Sequence, residues 1–248
     1  SVWSFCGVIS QTQGQLVVVD GDKMPGARWF PEARLSFAEN LLRRRDDGPA
    51  MIFQGEDRVR REISRGALYD LVSRIAQGLE AEGVTEGDRV VGYLPNIPEA
   101  VAAMLAANSL GAIWSSCSPD FGPSGVLDRF GQIEPVVIFV ADEYYYNGKQ
   151  IETVGKAREA VDGLPTLRRE IVLSYTGGPV DASPLPHGAS LDDFIAPYDA
   201  RDIPFRQLPF DHPLYILFSS GTTGPPKCII HGQGGTLLQH MKEHILAA

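Results

Sequence analysis

The chain has 248 residues, 44% of them hydrophobic and 21% charged, with a formal net charge of −9. That length and balance suit a globular protein with a full core, in one large domain or two small ones. The negative charge argues against a nucleic-acid partner, and the most apolar stretch, 100–114, is too short and too broken by Asn108, Ser109 and Gly111 to span a bilayer.

Residues 1–48 read as an irregular N-terminal arm anchored by aromatics, Trp29, Phe30 and Phe37. Within it, Ser36 is expected to cap a short helix reaching Arg45, with Glu39 as its third-position partner and Leu41 and Leu42 packing inward. A hairpin follows, with strands over 50–53 and 59–63 and turn residues Gly55, Glu56 and Asp57 between them. Ser64 then caps a helix in which Leu68, Leu71, Val72, Ile75 and Leu79 recur on one face, and Gly83 terminates it. Residues 89–94 read as a strand. Pro98 opens the next helix, Gly111 stops it, and 112–116 is strand again. Val126, Leu127, Phe130 and Ile133 mark a further helix. An unbroken apolar strand over 136–140, a helix near 151–161 and a strand over 171–174 come next. Strand and helix thus alternate, and the strands lack period-2 alternation. This predicts an α/β fold with a largely parallel sheet flanked by helices.

The connection over 177–211 is rich in Pro, Gly and Asp. It is expected to wander over the surface, with room for partial disorder. An apolar strand, 214–218, then breaks into Ser219-Ser220-Gly221-Thr222-Thr223-Gly224-Pro225-Pro226-Lys227. Glycines let backbone N–H groups approach an anion closely, successive N–H groups form an anion-binding concavity, and four hydroxyls add donors. Lys227 adds a mobile positive charge suited to phosphate. The P-loop of the NTPases is excluded, because Pro226 precedes the lysine and Cys228 follows it. A strand over 228–231 and a helix from Gly234 complete the chain. Cys6, Cys117 and Cys228 form no C-x-x-C pair and read as structural thiols in a reducing, cytosolic setting. No metal cluster is indicated.

The loop resembles the phosphate loop of the adenylate-forming ligases, the acyl-CoA synthetase superfamily. Other stretches resemble the acetoacetyl-CoA synthetases within it. They are the run from Trp29 to Leu42, the run Tyr93-Leu94-Pro95-Asn96-Ile97-Pro98-Glu99-Ala100, and Trp114-Ser115-Ser116-Cys117-Ser118-Pro119-Asp120-Phe121-Gly122 with its continuation from Val126 to Pro135. Pro209-Phe210-Asp211-His212-Pro213 leads into the loop in the same manner.

The resemblance implies ligation of acetoacetate to coenzyme A through an acyl-adenylate, at the expense of ATP, with Mg2+ carried on the ATP phosphates. Ser219, Ser220, Gly221, Thr222, Thr223, Gly224 and Lys227 would hold the ATP phosphates. Tyr146 and Lys149 would meet coenzyme A, and the 118–122 loop would border the pantetheine path. No catalytic nucleophile is implied. Members of the family are well over twice as long, so 49–248 is expected to be part of the large N-terminal domain, without the small C-terminal lid and inactive alone. Acetate or propionate as the acid, and a non-catalytic interaction module with a vestigial phosphate loop, stand as alternatives.

Overall fold

A computed structural model describes residues 1–56, 59–219 and 224–246. The arm holds helix α1 (Val2–Phe5), three two-residue strands, β1 (Val18–Val19), β2 (Arg28–Trp29) and β3 (Arg34–Leu35), and helix α2 (Phe37–Leu41). A hairpin of β4 (Pro49–Gly55) and β5 (Val59–Ser64) leads into α3 (Arg65–Ala81). Then β6 (Arg89–Tyr93), α4 (Pro98–Ser109), β7 (Ile113–Cys117), α5 (Pro123–Phe130) and β8 (Val137–Ala141) alternate. A second hairpin, β9 (Glu143–Tyr146) and β10 (Lys149–Glu152), precedes α6 (Val154–Val161) and β11 (Arg169–Leu173). The long connection carries β12 (Gly188–Ser190), α7 (Leu191–Ile195) and β13 (Leu208–Pro209). Last come β14 (Pro213–Phe218), β15 (Cys228–Gly232) and α8 (Gln233–Leu246).

Among the described residues, seven strands form the main sheet in the order β12-β11-β8-β6-β7-β14-β15. Neighbours run parallel except β15, which returns antiparallel to β14 at the edge. Successive side chains leave a strand on opposite faces. Val90, Phe139 and Ile171 accordingly enter one core with Leu68, Val72 and Ile75 of α3 and Leu105 of α4. Val91, Tyr93, Ile138, Val140 and Val172 enter the other, against Val126 and Phe130 of α5 and Ala157 and Ala160 of α6. Fully burying one such aliphatic or aromatic side chain is worth about 1.5–3 kcal/mol, which is why the apolar β8 lies inside the sheet, between β11 and β6 and covered on both faces. The helix limits follow local chemistry: the Ser64 hydroxyl accepts from the Ala67 N–H at 3.1 Å, and Gly83 adopts φ +75° past the end of α3.

Five expectations need correction. Helix α2 ends at Leu41, which is 42% exposed, whereas Leu42 is buried. Leu42 is the C-cap, where the backbone has already left the helical region (φ −96°, ψ 16°), and of the two leucines it alone turns into the core. The Glu39 carboxylate accepts from Gln207 Nε2 at 2.8 Å, so the cap has no reciprocal bond from it. Trp29 is 54% exposed; the aromatic anchor of the arm is instead Trp3, with Phe30 and Phe210 at ring centroids 5.0 and 6.3 Å away. The helix expected from Ile151 starts at Val154, because β9 and β10 form a hairpin over Asn147 and Gly148, both at positive φ. The 177–211 connection does not simply wander: Leu185, Phe194, Ile195, Ile203 and Leu208 are buried, and β12 extends the sheet parallel to β11.

Candidate functional site

Because β6, β7, β8, β11 and β14 are parallel, their carboxyl ends share one edge of the sheet. Ligands of open α/β sheets bind outside that edge. Strand β14 delivers Ser219 there. The strand is pinned from its neighbour by the buried Ser115 hydroxyl, which donates to the Ile216 carbonyl at 2.7 Å. Asn108 Nδ2 donates to the Leu214 carbonyl at 3.1 Å, and His212 Nε2 lies 2.9 Å from the Gly111 carbonyl. The approach to the strand, its start and its middle are therefore held in place.

The two feet of the loop are tied together. The Ser219 N–H donates to the Lys227 carbonyl at 3.1 Å, and Phe218 pairs with Cys228. Gln132, just beyond α5, braces the outgoing side: its Nε2 donates to the Pro226 carbonyl at 2.9 Å, and the Cys228 thiol donates to its Oε1 at 3.8 Å. Ser219 is half-buried, while Gly224 and Lys227 are exposed. Among the described residues, leaving aside its chain neighbours, no heavy atom lies within 4 Å of where a Cβ on Gly224 would stand. Ser220, Gly221, Thr222 and Thr223 lie outside the described residues. The donor set at the feet, a hydroxyl, open backbone and an exposed ammonium, fits a polyphosphate. Among the described residues no group of three His, Cys, Asp or Glu side chains could hold a metal ion, and no helix is long and apolar enough to cross a membrane.

Tyr146 and Lys149 face each other across the β9–β10 turn, and both are exposed. The turn is braced by the Gly148 N–H, which donates to Glu56 Oε2 at 3.0 Å. This hairpin leaves β8, three strand positions from β14, or roughly 14 Å at the usual strand spacing. The fold thus places the two candidate sites on one edge without bringing them into contact.

Between them sits the 118–122 loop, leaving β7. The Tyr93 phenol lies 3.0 Å from the Pro119 carbonyl and 2.5 Å from that of Phe121. Burial pushes that phenol up. Asp120 accepts from the Tyr144 phenol at 2.6 Å and from the Ser118 hydroxyl at 2.8 Å. Those two bonds, Tyr144 first, hold its carboxyl below the usual range. Burial and then Asp120 push the Tyr144 phenol up to about 12. Gln132, Tyr93 and Tyr144 escaped the sequence reading. Only the Asn147-Gly148 turn signal could have pointed to Tyr144, by predicting the hairpin that aims it inward. His231 lies in β15 with its ring 5.3 Å from that of Tyr215, and Trp114 is buried in the core.

The family model described as AMP-binding enzyme matches residues 37–246. The chain belongs to the AMP-binding enzyme family. Among its relatives, this family member is 53% identical to the acetoacetyl-coenzyme A synthetase of Rhizobium meliloti (strain 1021), over 98% of the chain and 37% of the relative. It is 45% identical to the acetoacetyl-CoA synthetase of Macaca fascicularis, over 98% of the chain and 38% of the relative. The solved acetoacetyl-CoA synthetase from Streptomyces lividans matches with a TM-score of 0.90 and 42% identity, over 98% of this chain and 37% of that one. The chain therefore has the AMP-binding fold and spans little more than a third of the length of these relatives.

Proposed function

We propose that this chain supplies the phosphate-gripping part of an ATP-dependent acetoacetate–CoA ligase. The observation that carries the reading is the hydroxyl- and glycine-rich loop, tied at its feet at the carboxyl edge of the sheet, in a chain 53% identical to an acetoacetyl-coenzyme A synthetase. In this reading a carboxylate oxygen of acetoacetate attacks the α-phosphorus of ATP and expels pyrophosphate. The coenzyme A thiol then attacks the acyl carbon of the adenylate and releases AMP.

The first step needs in-line positioning and charge neutralisation more than a protein nucleophile. Ser219, Ser220, Thr222 and Thr223 offer hydroxyls to the β- and γ-phosphates, Gly221 and Gly224 let the backbone approach, and Lys227 opposes their charge. Magnesium would arrive on the nucleotide's own phosphates. Lys149 and Tyr146 would meet a phosphate and an apolar part of coenzyme A. Residues 1–48 would act as an arm packed on the domain, and the protein would work in the cytosol.

The test is exchange of labelled pyrophosphate into ATP by the complete ligase, with acetoacetate, acetate or propionate as the acid. Acetoacetate is expected to support the fastest exchange. Equal or faster exchange with acetate would assign the ligase to another acid.

A further inference from the structure

The segments that overhang the middle of the carboxyl edge come from strands on either side of β6: the 118–122 loop leaves β7 and the β9–β10 hairpin leaves β8. The chain reverses direction across the sheet here. From β6 it passes through α4, on the face of the α3 core, to β7; from β8 it passes through α6, on the opposite face, to β11. The carboxyl ends of β6 and β8 therefore form a topological switch point, where open α/β sheets hold ligands.

One side-chain bond crosses this crevice directly, from the Tyr144 phenol to Asp120 Oδ1 at 2.6 Å. Tyr144 is 7% exposed. The β9–β10 pair is a two-stranded sheet outside the main one, and an isolated hairpin is marginal by itself. Its alternating tyrosines fix it on two sides. Tyr144 reaches the loop, while Tyr145 packs on the opposite side against the Tyr175 ring at 5.7 Å. Arg129 stacks on the Phe121 ring at 3.9 Å and holds the far side of the loop.

We propose that Tyr144 is a positioning residue for the second half-reaction: its hydroxyl, held by Asp120, sets the separation of the 118–122 loop from the hairpin that carries Tyr146 and Lys149, and so the affinity for coenzyme A. The proposal rests on the functional reading above, in which Lys149 and Tyr146 of this hairpin meet coenzyme A. Tyr144 takes no part in forming the adenylate.

The experiment has two arms. In the complete ligase, Tyr144→Phe and Asp120→Ala should each raise KM for coenzyme A about five- to twentyfold and leave pyrophosphate exchange within twofold. The double variant should be no worse than Asp120→Ala alone, because that change already removes the Tyr144 bond together with the one from Ser118. Asp120→Asn keeps an acceptor for the phenol and should stay within about twofold of the parent. An unchanged KM in Tyr144→Phe overturns the proposal. So does an equal loss in both half-reactions with a lowered Tm, which marks a merely structural residue. In the second arm, amide exchange on the 248-residue chain needs no ligase activity. Tyr144→Phe should speed exchange at 118–122 and 143–152 at least fivefold and leave the β4–β5 hairpin unchanged; unaltered rates overturn the proposal independently. A parent ligase that forms no thioester from acetoacetate would refute the functional reading and leave the amide-exchange arm to judge the strut.

Discussion

Gln233 joins three segments through one side chain, and replacing it with alanine tests that role. It is 3% exposed at the first position of α8. Its Oε1 accepts from the Phe37 N–H at 3.2 Å, and its Nε2 donates to the carbonyls of Leu35 at 3.1 Å and Pro209 at 2.9 Å. The amide thus holds the arm and β13 to the helix that follows the loop-bearing hairpin. Gln233→Ala removes all three bonds and leaves one buried N–H without this acceptor. At about 1 kcal/mol net for each bond, the loss should be about 3 kcal/mol. With a urea m-value of about 3 kcal/mol/M, the unfolding midpoint should fall by about 1 M. Far-UV circular dichroism through a urea titration reads this directly. A midpoint shift below about 0.2 M would refute the reasoning and mean that water or a backbone shift replaces the amide.

In the complete ligase, Lys227→Ala should slow pyrophosphate exchange at least a hundredfold while thioester formation from supplied acetoacetyl-adenylate falls less than fivefold; equal losses would make the lysine structural. Lys149→Ala should weaken coenzyme A binding about tenfold without altering the KM for ATP, as steady-state kinetics would read. Cys117 is buried and its thiol is pushed up to about 12 by that burial, whereas Cys228 is exposed. Iodoacetamide at pH 9, followed by peptide mapping, should therefore label Cys228 and spare Cys117. A thiol pKa raised on folding contributes stability that is full below the ordinary thiol range and is lost as pH rises toward 12, so labelling of Cys117 should appear only at strongly alkaline pH.

The alternating part of the fold was legible because its local signals agree with its packing. Ser64 caps the helix it was expected to cap, Gly83 and Gly111 stop helices at positive φ, and the apolar run of β8 is buried on both faces. The hairpin over Asn147 and Gly148 was missed although its turn dipeptide is a strong signal. By sequence alone, Ile151 and the apolar residues after it read as one helix. The 177–211 connection misled for a different reason. Its Pro and Gly content describes a chain that turns often, yet Phe194, Ile195 and Ile203 fill space left by α3 and the sheet edge, which is a tertiary property. At the site, the loop itself was readable from its residue types. Its supports were not: Gln132 and Pro226 lie 94 residues apart, and Tyr144 and Asp120 meet only because β6 separates β7 from β8.

The most direct test of the proposed chemistry follows the oxygen atoms. The complete ligase would be given acetoacetate labelled with oxygen-18 in its carboxylate, with ATP and coenzyme A, and the products weighed by mass spectrometry. An acyl-adenylate route transfers one labelled oxygen to AMP and leaves pyrophosphate unlabelled. Unlabelled AMP, or label in inorganic phosphate, would contradict it.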